Sequence, residues 1–249
     1  MKRFYKILSL HGQLWGAAVL LTVIPLSTPA IGNPKPLGQT DPVSLYGERI
    51  VFDIFRDGKN VGTHAVEFKK ISQRKYLVRA QFNLAITFLS FPVYDYLYQS
   101  AAVWEDGQLR TLQSDIDDDG KKSFVRLKTK GSKIHITSPK FSSVIDNPVF
   151  PTNHWNSGVI GSNRVLNTLS GEVGTVKIIK QAREEIQAEG GLVTADRYQY
   201  TGSVETTVWY DLRGRWVKMR FNAKDGSTID YKCVVCGLGA EPNLNGVSK

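Results

Sequence analysis

Between Tyr76 and Phe88 every second residue is apolar: Tyr76, Val78, Ala80, Phe82, Leu84, Ile86 and Phe88 alternate with a set that includes Arg79, Gln81 and Asn83. A side-chain repeat of two held over this length is the pleat of a β-strand with one face turned to an apolar core, and a helix cannot gather such a set on one side. Tyr94, Tyr96 and Tyr98 resume the alternation and carry it on to Ala102 and Trp104. Two long neighbouring strands are predicted, broken at Ser90-Phe91-Pro92.

Turn signals then recur along the chain, at Asp57-Gly58, Asp106-Gly107, Asp119-Gly120, Gly131-Ser132, Arg213-Gly214 and Asp225-Gly226. Asp-Gly between alternating runs marks a tight hairpin, because both turn positions take positive φ. The fold class read from this is all-β, an antiparallel meander of about ten strands with one short helix. The exception to the strand pattern is Pro151 to Gly171, where Trp155, Val159, Ile160, Val165, Leu166 and Leu169 are spaced more like a helix. Thr152 or Asn153 could cap it, Gly171 could stop it, and a short helix or crossover packing Trp155 against the sheet is predicted.

The N-terminus is built differently. Lys2, Arg3 and Lys6 precede an apolar run from Leu14 to Leu26, and Ser27-Thr28-Pro29-Ala30 ends on a small residue. That order of charge, apolar core and small residue is an export signal, so residues 1–30 read as a cleavable signal peptide and the destination as periplasmic or secreted. A membrane anchor needs about 20 apolar residues, and this run is shorter and broken by Pro25, so no stable anchor is expected after cleavage. With no cysteine beside the cut, a lipid-anchored lipoprotein is not expected. Residues 31–45, with Pro34, Pro36 and Pro42, read as a flexible lead-in, 46–237 as a single antiparallel β domain, and 238–249 as a polar tail.

The chain carries 32 Lys and Arg against 23 Asp and Glu, and three of the basic residues lie in the leader. The remaining excess is modest and spread out. In an exported protein it suits anionic headgroups, polysaccharide or plain solubility better than nucleic acid, which is not an expected partner. An outer-membrane barrel would show lipid-facing apolar bands on most strands, whereas segments such as Phe124 to Lys130 carry Lys and Arg on the outer face.

Three groups could carry chemistry. Cys233 and Cys236 follow a strand rather than opening a helix, so a structural disulfide is favoured over redox or zinc roles in an oxidising compartment. Asp115 to Gly120 matches the first half of a calcium loop, but Arg126 stands where the bidentate glutamate belongs, and a hairpin turn is the better reading. No metal site is expected from either. Asn153-His154-Trp155-Asn156 offers an acid/base or ligating histidine beside an aromatic floor, or else a helix start in which Asn153 caps and Trp155 packs. His64 and His135 stand alone within strands. Serine-hydrolase elbows, His-Glu-x-x-His, phosphate-binding loops and dinucleotide fingerprints do not occur, and no catalytic residue or cofactor is assigned.

The segment Val208-Trp209-Tyr210-Asp211-Leu212-Arg213-Gly214, with Trp216 to Phe221 and Asp225-Gly226 after it, resembles hairpins of the periplasmic lipoprotein-carrier superfamily. The mature chain also resembles exported bacterial proteins of unknown function in which this hairpin, a Pro-Thr-x-His-Trp segment (Pro151 to Trp155) and a terminal Cys-x-x-Cys occur together. The first resemblance implies a curved antiparallel sheet, a half-open barrel with a helical plug whose concave face shelters lipid or acyl chains.

On that basis the candidate ligand-binding residues are Tyr76, Val78, Phe82, Leu84, Ile86, Phe88, Tyr94, Tyr96, Tyr98, Trp104, His154, Trp155, Asn156 and Trp209. The leading expectation is a non-catalytic envelope protein binding a lipid or amphipathic ligand. A scaffold domain that engages an envelope protein partner, and a hydrolase using His154, are the alternatives.

Overall fold

The computed structural model describes residues 41–89 and 91–238, without the side chains of Thr87, Phe88 and Pro92. The signal-peptide segment 1–30, most of the lead-in and the tail beyond Leu238 lie outside the described residues, as does the Phe88 side chain.

The strands are β1 (Arg49–Arg56), β2 (Lys59–Ser72), β3 (Lys75–Phe88), β4 (Phe91–Glu105) and β5 (Gln108–Asp118). They continue with β6 (Lys121–Lys130), β7 (Lys133–Thr137), β8 (Ser142–Asp146), β9 (Phe150–Pro151) and β10 (Arg164–Leu166). The last five are β11 (Val173–Ala188), β12 (Gly191–Gly202), β13 (Thr206–Asp211), β14 (Trp216–Asn222) and β15 (Thr228–Val235). Asp57-Gly58, Asp106-Gly107 and Asp119-Gly120 hold positive φ at both positions, as the twist of a tight hairpin requires.

Each strand pairs with its sequence neighbour except across one seam, and the first strand closes on the last, placing Phe52 opposite Cys233 and Ile54 opposite Tyr231. The sheet's free edges are β8 and β9, so the ring of strands stays open there. All pairings are antiparallel save the short β9–β10 contact. The sequence points to about ten strands, and among the described residues the sheet has fifteen. The surplus comes largely from β7 to β10, whose two to five residues are too short to show a period.

Alternation sets the inner face, where Ile50, Phe52, Ile54, Val66, Phe68, Val78, Ala80, Ala102 and Trp104 are buried. Two irregular segments fill part of it. The last residues of the expected lead-in form the helix α1 (Pro42–Tyr46): Asp41 accepts from the Val43 and Ser44 amides at 3.0 and 3.1 Å, and Pro42 opens the helix. A capping carboxylate and a first-turn proline thus order the end of the segment read as flexible. After β9 the chain turns into the barrel as a plug, with Trp155 only 1% exposed, and passes through a short 3-10 helix, Ser157–Gly161. Its cap is Asn156, which accepts from Gly158 at 3.0 Å, rather than Thr152 or Asn153. Tyr46 pins the plug, donating to the Trp155 carbonyl at 2.6 Å while accepting from the Trp216 amide at 2.9 Å.

Candidate functional site

The long β3–β4 pair sets Phe82 opposite Tyr98, Leu84 opposite Tyr96 and Ile86 opposite Tyr94, all on the inner face. Toward the β3–β4 tip the plug no longer fills the interior, and these six side chains form one wall of a cavity of about 830 Å³. Phe221 of β14 with Ile229 and Tyr231 of β15 form the facing wall. Phe82 lies parallel to Tyr231 with ring centres 6.2 Å apart, and meets Tyr96 edge-on at 5.6 Å. Such a space is within the size range of small-molecule sites, and its lining is mainly apolar, with a few polar groups.

The polar groups sit at its two ends. At the mouth Arg56 is ion-paired with Asp225 and donates to Ser227 Oγ at 3.0 Å, beside Lys224. The Tyr94 hydroxyl donates to Asp118 at 2.6 Å; desolvation first, and that carboxylate second, hold its proton well above the ordinary tyrosine range. Inside are His64, Asn153 and Thr168. His64 is 7% exposed, neither ring nitrogen has a hydrogen-bond partner among the described residues, and Phe82, Trp216 and Tyr231 surround it. Burial, with nearby His154 as the smaller cause, lowers its pKa to about 3, so the ring is neutral near pH 7. The Asn153 amide nitrogen is likewise buried without a partner among the described residues.

Residues 52–234 match a family described as a domain of unknown function, DUF6134. The chain belongs to this family. The match runs from the middle of β1 to the end of β15, so both cavity walls and the plug lie inside the DUF6134 domain. Among solved structures it is similar to a crystal structure of a beta-barrel-like protein of domain of unknown function DUF1849 from Brucella abortus. The two share 12% identity over 75% of this chain and 94% of that one, with a TM-score of 0.55, a likeness of fold alone. No curated protein matches the chain. The hairpin resemblance to lipoprotein carriers gains no support from these matches.

Within the DUF6134 domain the candidate residues separate. Phe82, Leu84, Ile86, Tyr94, Tyr96 and Tyr98 meet at the cavity. Tyr76 lies outside its lining, under Lys70 and with its hydroxyl on the Gln73 carbonyl at 3.3 Å. Val78 is core, and Trp104 packs on Phe150 and Trp155. Trp155 is consumed by the plug and Asn156 by its cap. Trp209 points to the outer face, since Val208 and Tyr210 take the inner one; Glu184 accepts from its Nε1 at 2.5 Å and Lys218 covers its ring at 4.8 Å.

His154 also departs from its expected role. It is 6% exposed, packed against Tyr200 and Trp216 and absent from the cavity lining, and its carbonyl accepts from Tyr210 at 3.0 Å. Burial lowers its pKa to about 4. A sealed imidazole cannot exchange protons with a substrate, which removes the basis for a His154 hydrolase.

Cys233 and Cys236 form a disulfide at the end of β15. In the acidic run, Asp115 accepts from Arg126 at 2.5 Å, Asp117 from the Gly120 amide at 2.8 Å and Asp118 from Tyr94, which is the hairpin reading. Among the described residues no group of three or more His, Cys, Asp or Glu is placed to hold a metal ion.

Proposed function

We propose that this DUF6134 domain is an exported, non-catalytic envelope protein that takes a lipid or other apolar ligand into the cavity between β3–β4 and β14–β15. The observation that carries the reading is the 830 Å³ space itself, walled by Phe82, Leu84, Ile86, Tyr96, Phe221 and Tyr231. Such a wall recovers the free energy of removing an acyl chain or ring from water, roughly 25 cal/mol per Å² of apolar area. The mouth supplies Lys224 and the Arg56–Asp225 pair for a polar end. Export rests on the leader, and the Cys233–Cys236 bridge suits an oxidising compartment.

Native mass spectrometry of protein purified from its own host should show an apolar adduct that organic extraction removes. Protein that is adduct-free as isolated, and takes up no fluorescent fatty acid, overturns the reading. Leu84→Trp should fill the cavity from its own wall. Fatty-acid probe affinity is expected to fall at least tenfold, about 1.4 kcal/mol, while thermal stability moves by less than about 1 kcal/mol because the added ring occupies open space. Unchanged affinity in a folded Leu84→Trp protein would place the ligand elsewhere.

A further inference from the structure

The β3–β4 hairpin runs on past its last pairings with β2 and β5. Pairing of β2 with β3 ends at Gly62 opposite Leu84, and pairing of β4 with β5 ends at Tyr96 opposite Asp118. Beyond these points, apart from the Asp119 amide donating to the Asp95 carbonyl at 2.9 Å, the described residues of the two strands pair with each other, through Ala85–Asp95, Ile86–Tyr94, Thr87–Pro92 and Phe88–Phe91. At about 3.3 Å per residue this two-stranded ribbon runs roughly 15 Å beyond its last pairings with β2 and β5.

Its chemistry changes where it leaves the sheet. Lower on the same strands the outer face carries Arg79, Gln81, Asn83 and Gln99, the polar-out pattern of a half-solvated sheet. From residue 84 to residue 94 there is no charged side chain. Leu89 is 77% exposed, Phe91 72% and Val93 54%. Isolated exposed apolar residues are ordinary, but three together at one tip mark a contact surface.

The position of the ribbon says what it contacts. Ile86, Val93 and Tyr94 belong both to the ribbon and to the cavity lining, so the apolar lining of the cavity extends onto the ribbon. We infer that the β3–β4 tip is a membrane-contact element, which seats in a lipid bilayer surface and opens the cavity mouth onto it. This rests on the cavity reading for its purpose and goes beyond it in naming the partner surface. An apolar ligand then passes from bilayer to cavity along Phe91, Val93 and Ile86 without crossing water.

Two features set the mode of contact. Past Asp95 the ribbon's outer edges have no strand partner among the described residues, and hydrocarbon would leave their backbone groups unsatisfied, so the tip stays at the headgroup and upper acyl level. Tyr94, with its hydroxyl on Asp118 at the ribbon's base, stands where interfacial tyrosines stand, apolar ring inward and polar end in water. Charge around the mouth is nearly balanced, Arg56 and Lys224 against Asp225 on one side and Asp95 and Asp118 on the other. Contact is therefore driven by the apolar tip and does not require anionic lipid.

The test is flotation with phosphatidylcholine vesicles, paired with transfer of a pyrene-labelled fatty acid from vesicles to protein. Wild type should co-float, and the Leu89→Asp/Phe91→Asp double variant should stay with the soluble fraction. Its probe uptake from vesicles should slow at least tenfold while its affinity for free probe in buffer is unchanged. Leu192→Asp, at a leucine that is 69% exposed on a different hairpin, should behave as wild type. Wild type that does not float, a double variant that floats and takes up probe normally, or a tip-dependent dimer in sedimentation without vesicle binding would each overturn the inference. Wild type that floats but binds no free probe overturns the cavity reading and, with it, the delivery role.

Discussion

Trp155→Ala is expected to cost about 3–5 kcal/mol, because it deletes the largest side chain of the plug from a site with no room to collapse. The indole is sealed between Trp104 and Phe68, with ring centres 5.3 and 5.5 Å away, both edge-on. The carbonyl of the same residue is the acceptor for Tyr46, whose hydroxyl also receives the Trp216 amide, so α1, the plug and β14 are joined through this point. In a domain of this size the loss corresponds to a Tm lower by roughly 6–20 °C in a thermal melt. Trp155→Phe should cost much less. The indole N–H has no hydrogen-bond partner among the described residues, and removing an unsatisfied buried donor offsets part of the void left by the smaller ring. If Trp155→Ala melts within 1 kcal/mol of wild type, the plug is not part of the core, and the floor it gives the cavity through Asn153 is not fixed either.

The parity of a strand explains most of what the sequence disclosed about the site. The alternation from Tyr76 to Trp104 names the β3–β4 cavity wall directly, since the period fixes the face. The facing wall depends on β1 closing against β15, a pairing between chain ends that no local pattern contains. Ile229, Tyr231 and Cys233 do alternate, but over a short strand, and adjacent Trp216 and Val217 are both buried, which blurs the period in β14. His64 shares parity with Val66 and Phe68 and so faces inward; reading it as a lone histidine overlooked that face. Trp209 is the reverse case, an aromatic credited by residue type although Val208 and Tyr210 flank it on the inner parity. The Glu189-Gly190 turn has the same positive φ at both positions as the Asp-Gly turns, yet glutamate is not a turn residue by type, and β11 before it is too rich in charge to declare a face. Asn153 and Thr168 belong to irregular backbone, where neither period applies.

Acidification from pH 6.5 to 4.5 is expected to remove about 4 kcal/mol of stability, before most carboxylates titrate. His64 and His154 are both buried neutral, with pKa values lowered to about 3 and about 4, against roughly 6.5 in the unfolded chain. Between the folded and unfolded values the unfolded state binds more protons, so stability rises with pH across that window. It is therefore complete above about 6.5 and lost as pH falls toward 4 and 3, at up to about 1.4 kcal/mol per pH unit for each ring. The carboxylates whose pKa is lowered, such as Asp196 at about 2 beside Arg183 and Lys180, lose their contribution only below their ordinary value near 4, so the two effects separate on the pH axis. The rings around His64 belong to Phe82, Trp216, Tyr231 and, farther off, His154, none of them a carboxylate that would hold the imidazolium inside. Denaturant melts at pH 7, 5.5 and 4.5 should show this slope, and His64→Gln with His154→Asn should flatten it, asparagine being tolerated at the positive φ of residue 154. A wild-type midpoint that is constant from pH 7 to 4.5 would mean that one or both rings reach water in the folded protein, and the cavity would then extend below the floor that His64 now closes.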